Sequence, residues 1–215
     1  MSEKEHKEEL QEKSVSTKRR LLNWLTGISI ISFIIGLVVP LKDLALAVKP
    51  EAKGKQEPEL PGQRLVFAHE YQQQSEGHTH SKGTVVTADK LNAPSAALVA
   101  PEDLATQNKY LILLHKLKKE DIKPPTKKEM TDQGFVAYSA ICTHLGCTVD
   151  WTEQPHNVGS PRDHCPCHIG EFDPYEGAKV VGGPPPRPLP QIGVRVNDNN
   201  EIVLTSKFES KIGSE

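Results

Sequence analysis

Cys142-Thr143-His144-Leu145-Gly146-Cys147 and Cys165-Pro166-Cys167-His168-Ile169-Gly170 hold every cysteine of the chain and two of its nine histidines. The pattern is C-x-H-x-x-C, then a spacer over 148–164, then C-x-C-H. Each box offers thiolates and one imidazole. Sets of two thiolates and two imidazoles suit zinc and iron–sulfur centres alike. Gly146 lets the first loop turn where a side chain would clash, so the Cys and His of C-x-H leave it in the same direction.

Both boxes resemble the cluster boxes of Rieske iron–sulfur proteins, specifically those of quinol-oxidising cytochrome bc-type complexes. The resemblance is good over roughly residues 134–205 and covers the rest only by layout. It implies one Rieske-type [2Fe–2S] cluster, with Cys142 and Cys165 on one iron and His144 and His168 on the other. It also implies that Cys147 and Cys167 form the family disulfide that ties the two loops together. Rieske ferredoxins and ring-hydroxylating dioxygenases usually lack that second cysteine pair. The implied fold is all-β: a Rieske-type antiparallel β-sandwich head, residues 64–215, whose cluster-binding part runs from about 140 to 190. A disulfide requires an oxidising compartment.

The N-terminus agrees with that compartment. Residues 21–41 carry no charge and, as one α-helix, span about 30 Å of hydrocarbon. A buried core helix would show a polar face, and this run shows none. A cleaved signal peptide would have a shorter apolar run, and the one A-x-A candidate, Ala45-Leu46-Ala47, does not follow closely. A single uncleaved transmembrane anchor is therefore expected. Lys18, Arg19 and Arg20 precede it, which keeps the polar tail 1–20 in the cytoplasm. The head then lies on the extracytoplasmic, periplasmic side of the cytoplasmic membrane. Arg19-Arg20-Leu21-Leu22 also resembles a twin-arginine export signal, which suits a head that crosses folded with its cluster. Residues 42–63, rich in Ala, Lys, Glu and Pro, read as a hinge or linker. A net charge of −2 gives no electrostatic footprint for nucleic acid.

Within the head, strand-like runs cover 64–71, 83–88, 110–115 and 134–141, and 194–196 with 202–204 form a closing hairpin. Residues 117–133 and 148–164 read as loops, the first with room for a short helix. His78 and His80 form an H-x-H pair, more often a polar turn than a metal site. His156 and His164 lie in the spacer and stand outside the implied ligand set. Gly182-Gly183-Pro184-Pro185-Pro186-Arg187-Pro188-Leu189 cannot join a central strand, and it resembles the proline loop that covers the family's cluster.

The resemblance implies a membrane-bound electron-transfer subunit, the iron–sulfur part of a quinol:cytochrome c oxidoreductase. It would oxidise quinol at a cytochrome b partner and pass the electron to a cytochrome c-type acceptor. His168 is the expected quinol-facing residue and His144 the second exposed imidazole, both proton-coupled. The competing reading is the small Rieske subunit of an exported molybdenum enzyme such as arsenite oxidase. A zinc-stabilised binding module is the non-redox alternative. One departure from the family refines the first reading. High-potential members continue their second box as H-G-S-x-Y-D, whereas this chain reads His168-Ile169-Gly170-Glu171-Phe172-Asp173. The serine and tyrosine hydroxyls that would donate toward the cluster are absent, and Tyr175 is out of register to replace the second. Fewer donors favour the reduced cluster less, so a lower potential and a menaquinol substrate are expected.

Overall fold

Side chains alternate in direction along a strand, and in Ser95–Pro101, Ile112–Lys116 and Phe135–Ser139 both directions are apolar and buried. These segments therefore form the middle layer of the described head. The computed structural model describes residues 57–72, 79–153 and 161–214. The tail 1–20, the anchor 21–41 and residues 42–56 of the linker lie outside them. Among the described residues no helix is long and apolar enough to cross a membrane.

Thirteen short strands are present among the described residues: β1 (Leu65–Phe67), β2 (Tyr71–Gln72), β3 (Thr79–His80), β4 (Ser95–Pro101), β5 (Ile112–Lys116), β6 (Phe135–Ser139), β7 (Asp150–Thr152), β8 (Arg162–Cys165), β9 (Gly170–Asp173), β10 (Lys179–Gly182), β11 (Gln191–Ile192), β12 (Val194–Val196) and β13 (Ile202–Leu204). Every pairing between them is antiparallel. A five-stranded sheet has the order β1-β4-β5-β6-β11, and a four-stranded sheet the order β10-β9-β8-β7. Two hairpins, β12-β13 and β2-β3, complete the set. The helical elements are single 3₁₀ turns of three residues. The expected all-β antiparallel head is therefore the observed one.

Each face of the five-stranded sheet has its own core. Ala97, Val99, Ile112, Leu114, Phe135 and Ala137 pack with Leu65, Phe67, Ile202 and Leu204 on one face. Leu113, Val136 and Tyr138 pack with Cys142, Val149, Cys165, Phe172 and Leu189 on the other. Both cysteines outside the disulfide thus belong to the second core.

Three expectations change in detail. Residues 83–88 make isolated bridges, Val66 with Val85 and Thr87 with Glu201, rather than a strand. Ser95–Pro101, hidden in sequence by its alanines and flanking prolines, is the longest strand described. The 148–164 spacer contains β7 and β8, because Trp151 and Asp163 face each other in register across the smaller sheet.

Candidate metal centre

Strand β6 delivers the chain to the first box. The loop is closed by the bridge between Ile141 and Thr148. Inside it the Cys142 N–H donates to the Cys147 carbonyl at 2.8 Å, and the Gly146 N–H to the Cys142 carbonyl at 3.0 Å. Gly146 sits at φ +80°, a left-handed conformation that glycine adopts without penalty. The second box is the hairpin loop between β8 and β9, closed by the Cys165–Gly170 pair.

The two loops meet. Cys147 and Cys167 are joined in a disulfide with an S–S distance of 2.07 Å. Cys142 and Cys165 are free thiols, 1% and 2% exposed. The His144 and His168 rings stand nearly perpendicular, centroids 4.7 Å apart, with His144 half-buried and His168 exposed. The sulfurs of Cys147, Cys165 and Cys167 also lie within 4.8 Å of one another. The first and third are committed to the disulfide, so of these three only Cys165 has a thiol to give.

This donor set fits a metal centre on two observations. Burial pushes the Cys142 thiol up to about 11; the adjacent Cys165 thiol adds to the rise, while the His144 and Leu145 backbone amides oppose it. Two buried thiols side by side ionise readily only when a cation neutralises them. His144 Nδ1 is buried and has no hydrogen-bond partner among the described residues. An orphaned nitrogen of this kind costs free energy unless it binds something. The buried thiols and the two imidazoles therefore fit a metal centre with mixed sulfur and nitrogen donors.

The Rieske [2Fe–2S] domain family matches residues 107–193. A protein of Haloferax mediterranei, named a putative respiratory nitrate reductase subunit Rieske, is 35% identical over 162 residues, 72% of this chain and 69% of that protein. The chain belongs to the Rieske [2Fe–2S] family. Its cofactor is one [2Fe–2S] cluster. A cytochrome bc1 complex Rieske iron–sulfur subunit of Streptomyces lividans is 36% identical over 106 residues, 49% of this chain and 59% of that one. The plasma-membrane Rieske protein of Synechocystis PCC 6803 superposes with a TM-score of 0.39 at 25% identity, over 57% of this chain and 97% of that structure.

In this Rieske head the proline loop lies against both boxes. Thr143 donates its hydroxyl to the Arg187 carbonyl at 2.7 Å, and Arg187 Nη2 donates to the Gly213 carbonyl at 2.5 Å. Gly183, at φ +75°, approaches so closely that a Cβ there would stand 2.3 Å from the Ile169 carbonyl oxygen. Phe172 is fully buried in the same core as Cys142 and Cys165.

Two features beside the Rieske site carried no sequence signal. His115 Nε2 lies 3.2 Å from Asp163 Oδ2, both side chains fully buried. Burial pushes the Asp163 carboxyl up, and His115 pulls it down. Trp151 and Tyr138 meet the His115 ring edge-on. The second feature is Glu171, 4% exposed, which faces His164 across β8 and β9. His80 stacks on Phe67 at 4.9 Å, while His78 and His156 lie outside the described residues.

Proposed function

We propose that this chain is the membrane-anchored electron-transfer subunit of a quinol-oxidising cytochrome bc-type complex. Cys142 and Cys165 hold one iron of the cluster, and His144 and His168 the other. The chain takes an electron from quinol, menaquinol by preference, at a cytochrome b subunit and passes it to a cytochrome c-type acceptor. Residues 1–20 form a cytoplasmic tail, 21–41 the single membrane span, 42–63 a hinge and 64–215 the periplasmic head.

One observation carries this reading: an exposed imidazole beside a half-buried one, in front of two buried thiols. When bound, the cluster would supply a one-electron acceptor. With Nδ1 of His144 turned inward, its Nε2 is left for a proton. In this ligation one ring nitrogen of His168 would be taken up by iron, and the other, when it has released its own proton, would accept the quinol O–H hydrogen bond and then the quinol's proton. The Cys142 and Cys165 thiols stay out of water, and the proline loop keeps solvent from the third side. The name of the Streptomyces relative supports the complex.

A second reading is favoured by the Haloferax relative, whose name places it with a respiratory nitrate reductase. There the same head would serve a terminal reductase in place of a cytochrome c-type acceptor.

An EPR spectrum with a redox titration of purified membranes tests the proposal. A Rieske signal reduced by added quinol, lost in His144→Ala and His168→Ala, and co-purifying with b-type haem is expected. A normal signal in purified His168→Ala would overturn the ligand assignment, and a signal that co-purifies with a nitrate-reducing subunit instead of b-type haem would select the second reading. External protease on intact spheroplasts should release a soluble head by cutting within 42–63. Release only from inverted vesicles would reverse the topology.

A further inference from the structure

Residues 116–128 carry six lysines against two acidic residues. As a rule such a run is a solvated face, and part of this one is used internally. Lys127 pairs with Glu209 at 2.9 Å. Lys116 Nζ donates to the Gln133 carbonyl at 2.8 Å and lies over the Phe135 ring. Lys119 and Lys128 differ: neither is in an ion pair among the described residues. Both line a cavity of about 300 Å³ that opens to solvent. Its lining residues precede β6, whereas the first cysteine box follows β6, so the strand separates the cavity from that box.

The walls of the cavity are held by named contacts. Asp132 to Phe135 form a tight turn, closed by the Phe135 N–H donating to the Asp132 carbonyl at 2.7 Å. Its central residues, Gln133 and Gly134, are both left-handed, at φ +50° and +87°, as a two-residue hairpin turn of this kind requires. A Cβ at Gly134 would stand 2.3 Å from the Leu117 carbonyl oxygen, so only glycine fits there. The Thr131 hydroxyl donates to the Lys128 carbonyl at 2.8 Å and fixes the 3₁₀ turn that carries Lys128. Buried Ile122 adds an apolar wall.

The acceptors around the cavity are partly spent, and its cations are not. Asp132 Oδ2 receives the Val196 N–H at 2.9 Å, and the Gln133 carbonyl receives Lys116. Burial holds the Lys116 ammonium below its ordinary range; the Lys119 charge pushes the same way, and Asp132 opposes both. Two lysines and one carboxylate leave the lining net positive. Lysine binds phosphate as a point charge, while carboxylate and amide side chains bond hydroxyls. The volume is that of a small-molecule site.

We propose that this cavity binds a phosphate-bearing small polyol, with the phosphate on Lys119 and Lys128 and the hydroxyls on Asp132 and Gln133. Soluble glycerol phosphate and the headgroup of phosphatidylglycerol share that chemistry.

The test uses the full chain with its cluster in phosphatidylcholine nanodiscs, with lysine acylation rates read residue by residue by mass spectrometry. One arm adds glycerol phosphate, and the other replaces the lipid with phosphatidylglycerol. Acylation of Lys119 and Lys128 should slow about fivefold at a ligand concentration about four times Kd, while the exposed Lys82 and Lys207 should react as before. Protection in the first arm alone identifies a soluble ligand, and in the second alone a lipid headgroup. The double variant Lys119→Gln, Lys128→Gln should weaken glycerol phosphate binding about tenfold by calorimetry, with thermal midpoint and EPR signal unchanged. No protection in either arm overturns the proposal. So does equal protection of every exposed lysine, or equal protection by inorganic phosphate at the same ionic strength, since either would be charge screening without recognition of the polyol.

Discussion

A Cβ on Gly170 would stand 2.7 Å from Cγ and 3.2 Å from Cδ of Pro185. The proline ring thus occupies the space a serine side chain would need, and it is buried and stiff. The missing serine of the second box is bound up with the proline loop and is not an isolated substitution.

Phe172 is the better place to restore a donor. It shares a core with Cys142 and Cys165, and Phe172→Tyr adds one hydroxyl there. A hydrogen bond to a charged group contributes roughly 1.5–3 kcal/mol, which for one electron raises the potential by at most about 60–130 mV. A redox titration should show a rise within that limit, whereas Gly170→Ser alone should lose cluster or stability and recover when combined with Pro185→Ala. An unchanged or lower potential in a cluster-loaded Phe172→Tyr protein would show that the hydroxyl does not tune this centre.

Cys147→Ser and Cys167→Ser should leave cluster in freshly purified protein but shorten its lifetime. The disulfide spans a sequence separation of 20, and opening a loop of that size costs about 3 kcal/mol in the chain-entropy account. The decay of the EPR signal and the urea midpoint report the two effects. A variant with wild-type decay would mean that the proline loop alone holds the boxes together.

His115→Leu should destabilise the head by about 1–3 kcal/mol, because it leaves the fully buried Asp163 carboxyl without its nearest polar partner. Asp163→Asn alone should also destabilise it. The double variant should cost less than the sum, which a double-mutant cycle by urea unfolding measures. Additive losses would argue that the 3.2 Å contact carries no coupling.

The acid limb of stability should depend on the closing hairpin. The Glu201 carboxyl is held below its ordinary range, first by the Asn197 side-chain amide and then by Arg64. A depressed carboxyl stabilises the fold above its unfolded pKa, and that contribution is lost as pH falls through the folded value. Asn197→Ala should therefore move Glu201 upward in an NMR titration and flatten the acid limb. An unmoved Glu201 resonance would assign the depression to Arg64.

What the sequence by itself determined is what short-range chain geometry encodes. Two loops with cysteines and a histidine at fixed spacing, a glycine at the turn of the first and a proline run behind the second read directly as a metal-binding pair, and the resemblance supplied the cluster. The β12-β13 hairpin was legible for the same reason, since its turn residues lie between two alternating runs. The tertiary structure decided which groups meet across strands. His115 lies on β5 and Asp163 on β8, and nothing local to either marks the pairing; it follows from the register of two sheets packed through one core. The strands β7 and β8 exist because each pairs with a neighbour, so the spacer read alone looked like a loop. The left-handed backbone of Ile169 and the contact of Pro185 with Gly170 come from one loop lying against another, and propensities at single positions carry no information about that approach.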